Sequence, residues 1–212
     1  MAKEANKNYF ASRISTGKKE FPLYLNGKMA QMVNGKIYSI MRALDVLLGK
    51  AKMNALLKSF TITQKDTLGN WIKPLGFLER IYTDVPQQHH QLLDTWFKRV
   101  ITYDFAIENA DYTKTTDGRF KISLEVNSKR FETRNYGEDF QLDIDEAIQI
   151  GIFSKHPKAI ENDTAVLYLK PHQINATKMI FEIIVDALPK YIAIDPYGTR
   201  MDKKLENNLR AF

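Results

Sequence analysis

The chain has 212 residues, 44% hydrophobic and 26% charged, with a net charge of +6 and no cysteine. That length and balance hold one large or two small folded domains with a real core, and they exclude a disordered chain. The missing cysteines exclude disulfides and thiol chemistry without fixing a compartment.

No apolar run approaches the roughly 18 to 20 residues of a membrane span. The chain is therefore expected to be soluble and to insert in no bilayer. Its opening, Met1-Ala2-Lys3-Glu4, lacks the charged-then-apolar order of a signal peptide and reads as an arbitrary start, so a larger parent is expected. Through Arg99 there are 16 Lys/Arg against 7 Asp/Glu, and from Val100 onward 15 against 18. The basic half lacks a Lys/Arg stripe, an aromatic RNA-binding strand or a zinc-finger spacing, which argues against nucleic acid as a partner.

In chain order, residues up to Phe21 are polar and read as a loop or frayed lead-in. Phe21-Pro22-Leu23-Tyr24-Leu25 is a short apolar segment closed by Asn26-Gly27. Val33, Ile37, Ile40, Met41, Leu44, Leu47 and Leu48 then make one broad helical stripe, which Gly49 ends. Met53, Leu56, Leu57 and Phe60 predict a second helix. Thr63-Gln64-Lys65-Asp66 has capping-box spacing for a third, broken by Gly69, Pro74 and Gly76. Asp84-Val85-Pro86 opens a last helix carrying Leu92, Leu93, Trp96 and Phe97.

At Ile101 the period changes to two: Ile101, Tyr103, Phe105 and Ile107 alternate with polar residues. Asp117-Gly118 marks a hairpin turn, and Phe120, Ile122, Leu124 and Val126 alternate after it. Further strands are expected around residues 140–144, 148–152, 166–169, 179–185 and 191–194. The fold class expected is α+β: a helical segment of about four helices over residues 1–99, then an antiparallel β-sandwich of immunoglobulin-like layout over 100–212.

Candidate sites are few. Adjacent residues on a helix point about 100° apart, so His89 and His90 cannot share a metal as an i, i+4 pair would. His156 and His172 read as loop residues. Glu138, Asp139, Asp143, Asp145 and Glu146 lack the order of a calcium loop and read as the solvent face of strands. No nucleophile elbow or phosphate loop is present. Catalytic, cofactor and metal residues are thus none by this reading. Tyr112 and Tyr136, near strand ends, motivate a rival reading of the chain as a stand-alone module binding protein or glycan.

Three stretches carry a family resemblance. The first runs from Val33-Asn34-Gly35-Lys36-Ile37 through Leu48-Gly49 to Met53-Asn54-Ala55-Leu56-Leu57-Lys58-Ser59-Phe60. The second is Leu92 to Asp104, and the third is Ala193-Ile194-Asp195-Pro196-Tyr197 with Met201-Asp202 and Asn207-Asn208. Together they resemble the region after the zinc site in gluzincin aminopeptidases (the aminopeptidase N-like family), in the bacterial branch fused to an ABC-type permease. The third stretch is the most specific.

The resemblance implies a membrane-anchored zinc-peptidase parent with this portion in an aqueous compartment. It further implies an upstream catalytic domain as partner and a peptide as the parent's substrate. The family's H-E-x-x-H and its downstream Glu are not in this sequence, so zinc belongs to the parent only. Alignment on Lys36 and Gly49 puts Asn34 where the family has an oxyanion-stabilising Tyr. Either the alignment slips locally or the parent is degenerate. A terminal Ile-Asp-Pro-Tyr corner reads as a structural clasp rather than a site.

Overall fold

A computed structural model describes residues 2–16, 20–25, 30–65, 74–134, 137–157 and 163–212. The protein is α+β; the described residues form five α-helices followed by eight strands in two antiparallel sheets. It divides into two compact units. Residues 1–101 with 132–139 form the first, and residues 102–131 with 140–212 form the second. The line drawn from sequence at Arg99/Val100 thus moves by two residues, and the segment 132–139 joins the helical unit. Side chains account for that segment's membership: Arg99 Nε lies 2.7 Å from Glu132 Oε1, and Arg13 lies 3.1 Å from Asp139.

In the helical unit, α1 (Ala2–Thr16) is a fifteen-residue helix where the sequence reads as a lead-in. The predicted stripe forms α2 (Ala30–Leu48), and α3 (Lys50–Lys65) follows across Gly49, whose φ of 77° fits the left-handed C′ position that glycine adopts without strain. Thr63-Gln64-Lys65 lies inside α3 and caps no new helix; Asp66, the box's last residue, is outside the described residues, as are Gly69 and Trp71. Pro74 begins α4 (Pro74–Asp84) instead of breaking it, since a first-turn proline has no intrahelical N–H bond to lose. A short 3-10 turn at Gln87–His89 precedes α5 (His90–Phe97). Ile40, Leu44, Met53, Leu56, Leu78, Ile81, Leu93, Trp96 and Phe97 form the unit's core.

The strands are β1 (Ile101–Lys114), β2 (Phe120–Arg134), β3 (Glu138–Leu142), β4 (Glu146–Phe153), β5 (Val166–Ile174), β6 (Lys178–Val185), β7 (Tyr191–Ile194) and β8 (Leu209–Ala211). One sheet has the order β1-β2-β3 with β6 also on β2; the other is β5-β4-β7-β8. The chain passes from one sheet to the other between β3 and β4, β5 and β6, and β6 and β7, a sandwich-like layout. The alternating residues Ile122, Leu124 and Val126 of β2 and Ile148, Ile150 and Ile152 of β4 are fully or almost fully buried, as period-two patterning requires. His172 is on β5 rather than in a loop, with its ring 5.0 Å from that of Phe181 on β6.

Candidate functional site

Each unit buries a cluster of ionisable side chains. In the helical unit it starts from α1, whose inward stripe is polar: Asn6, Tyr9 and Ser12 are buried at helical spacing. The Tyr9 hydroxyl, fully buried, donates to both carboxylate oxygens of Glu20 at 2.7 and 2.9 Å. Glu20 also holds Arg13 at 3.1 Å and Lys36 at 3.6 Å. Lys36, 4% exposed, donates to the Arg99 carbonyl at 3.2 Å. Arg13 reaches on to Thr133 at 2.6 Å and Asp139 at 3.1 Å.

Burial pushes the Tyr9 hydroxyl well above the usual phenol range, and the Glu20 carboxylate adds to it, so Tyr9 remains a neutral donor. Burial also holds the Lys36 ammonium below the lysine range, with Glu20 opposing. Two helices meet closely here. A Cβ on Gly35 of α2 would lie 2.6 Å from the Ala5 carbonyl oxygen and 2.9 Å from Tyr9 Cβ.

In the sandwich unit the cluster is built on Glu146, at the start of β4 and 8% exposed. It accepts from Tyr103 at 2.7 Å and from Arg200 at 3.1 Å, and Arg130 Nε lies 3.1 Å away. Burial, then the Glu146 charge, raises the Tyr103 hydroxyl far above the phenol range. The segment after β7 closes over this group. Asp195, 2% exposed and at φ 46°, sits in the left-handed region that Asp tolerates better than most residues. Its carboxylate accepts from the Thr199 N–H at 2.9 Å, the Thr199 hydroxyl at 2.6 Å and the Arg200 N–H at 2.9 Å.

Asp202, fully buried, accepts from the Phe105 N–H at 2.9 Å, the Lys204 N–H at 2.7 Å and Asn208 Nδ2 at 3.1 Å. Burial raises its carboxyl to about 7, against the pull of those donors. The Tyr103 N–H donates to Met201 and its carbonyl accepts from Lys203, so the terminal segment is hydrogen-bonded onto β1.

The residues singled out from sequence scatter. Asn34 is exposed on α2, while Lys36 turns inward. His90 contacts the Val85 carbonyl at 3.0 Å, and His89 contacts Gln88. Glu138, Asp139, Asp143 and Asp145 are exposed, as read from sequence, with Asp139 also 3.1 Å from Arg13; Glu146 is instead buried against two arginines, because burial among cations is invisible in a local alternation. Tyr112, 39% exposed, has its ring edge-on to Phe120 and Phe212 at 5.7 and 5.4 Å, which accounts for it without a ligand. Tyr136 lies outside the described residues. The sequence reading missed Tyr9, Glu20 and Arg200; the Tyr9–Glu20 and Arg200–Glu146 pairs span 11 and 54 positions, and no local motif signals them.

Among the described residues no group of three or more His, Cys, Asp or Glu side chains could hold a metal ion. No helix of the described residues is long and apolar enough to cross a membrane. Fold and clusters together define a two-unit α+β protein whose buried carboxylates are committed to arginines, lysine, tyrosine hydroxyls and backbone donors. No protein-family model matches the chain, and comparison with curated proteins returns no match.

Proposed function

We propose that this chain is the non-catalytic C-terminal portion of a membrane-anchored protein resembling zinc aminopeptidases. Its helical unit walls a peptide cleft, and its sandwich supports the catalytic domain. The observation that carries the reading is the terminal clasp. Asp195, Asp202 and Asn208, three residues of the most specific resembling stretch, all have buried side chains bonded within the sandwich unit. That gives Ile194-Asp195-Pro196-Tyr197 a structural reason to exist and assigns it no chemistry. The succession of helices and then an immunoglobulin-like sandwich is the layout the resemblance implies.

The test has two arms. The reading frame upstream of Ala2 is expected to encode H-E-x-x-H with a downstream Glu, and residues 1–212 alone are expected to bind no stoichiometric zinc and cleave no aminoacyl reporter. A tightly bound zinc, hydrolysis by this chain, or a frame that opens at Met1 contradicts the proposal.

A further inference from the structure

Strand edges with unmet backbone groups recruit other strands, and folded proteins blunt them with short strands, prolines, charge or cover. Most edges of this sandwich carry such a device. β8 is three residues long, β3 is five and opens on Glu138 and Asp139, β5 contains Pro171, and β1 is engaged by the segment around Met201 to Lys203. By contrast β6 is eight residues long, has no proline, and pairs with β2 in unbroken register from Lys178 to Val185. Among the described residues no strand pairs with its other side. Its outward face shows Ile180 at 70% exposure and Ile184 at 46%, the former the most exposed large apolar residue described.

We propose that β6 is a self-docking edge: two copies of the chain pair their β6 strands antiparallel about a two-fold axis through Ile180. Charge complementarity selects this occupant and this register. With Ile180 opposite Ile180, Lys178 of each copy faces Glu182 of the other, giving two opposite-charge pairs around an apolar centre. Centring on Phe181 sets Lys178 against Ile184 and Glu182 against Ile180, and centring on Glu182 opposes two carboxylates. Inward, the chosen register brings half-buried Met179 beside Phe181 of the other copy, extending both cores. Glu182 already holds Lys121 at 2.7 Å while remaining 64% exposed, so it has room for a second cation.

Sedimentation of the whole chain over a concentration series tests this. The wild type is expected to show a reversible monomer–dimer equilibrium. Lys178→Glu and Glu182→Lys alone each turn two attractive pairs repulsive and should weaken it about tenfold. An equimolar mixture of the two variants restores all pairs and should recover wild-type association, with thermal melts showing each variant folded. A wild type monomeric at every concentration, reversals without effect, or a mixture that fails to associate overturns the proposal.

Discussion

The two units hold the same small chemical group in different ways. Each has one buried carboxylate, Glu20 or Glu146, that accepts a tyrosine hydroxyl and pairs with two cations: Arg13 and Lys36 in the helical unit, Arg130 and Arg200 in the sandwich. Around Glu146 the chain adds backbone: Asp195 and Asp202 fix the following segment through the N–H groups of Phe105, Thr199, Arg200 and Lys204. Around Glu20 the carboxylate's contacts come from side chains, with one backbone link from Lys36 to the Arg99 carbonyl, and much of the cluster hangs on α1, a helix without an apolar stripe. An ion-paired cluster tied into backbone can open only with its sheet, whereas one resting on a polar helix can open when that helix lifts.

The largest effect should come from removing the centre of the backbone-tied cluster. Glu146→Ala removes the carboxylate shared by buried Arg200, half-buried Arg130 and a buried tyrosine hydroxyl, and should cost about 3 to 5 kcal/mol in urea denaturation. Glu20→Ala should cost less, because Arg13 and Lys36 can hydrate once α1 lifts. Equal losses would erase the difference between the units.

Next comes pH. Asp202 has a folded value of about 7, above its unfolded 3.8, so between those values the folded state keeps a proton that the unfolded state has released. Stability should fall as pH rises from about 4 to about 7, by roughly 2 to 4 kcal/mol, and level off above. Asp202→Asn should remove that slope, and a slope unchanged in the variant would place the titration elsewhere.

A smaller effect sharpens the helical side. In Gly35→Ala the new methyl meets the Ala5 carbonyl, so α1 must shift, costing about 1 to 3 kcal/mol. Faster amide exchange in α1, with sandwich amides unchanged, is the expected signature. Smallest of all, Lys98→Ala breaks the solvent-exposed pair with Asp94 at 2.7 Å and should leave the melting temperature where it was.

The same contrast explains what could be read from sequence. Strands such as β2 and β6 announce themselves because one face is apolar and the period is two. The stripe of α2 does so at 3.6. By that measure α1 is silent, since the face it buries is Asn6, Tyr9 and Ser12, and hydrophobic periodicity cannot see a polar interface. β8 is too short to alternate visibly. The Ile-Asp-Pro-Tyr corner was legible as a clasp because a proline ending a strand is a local feature, whereas the left-handed Asp195 and its hydrogen bonds were not. Its link to Glu146 through Arg200 spans 54 positions and leaves no local trace.

Residue-resolved hydrogen exchange on Glu146→Ala tests the central claim most directly, that these buried carboxylates hold the fold rather than perform chemistry. The account predicts lost protection throughout β4, β7 and the Asp195–Asp202 segment. Protection equal to or above wild type, the usual result when a strained functional carboxylate is removed, would contradict it.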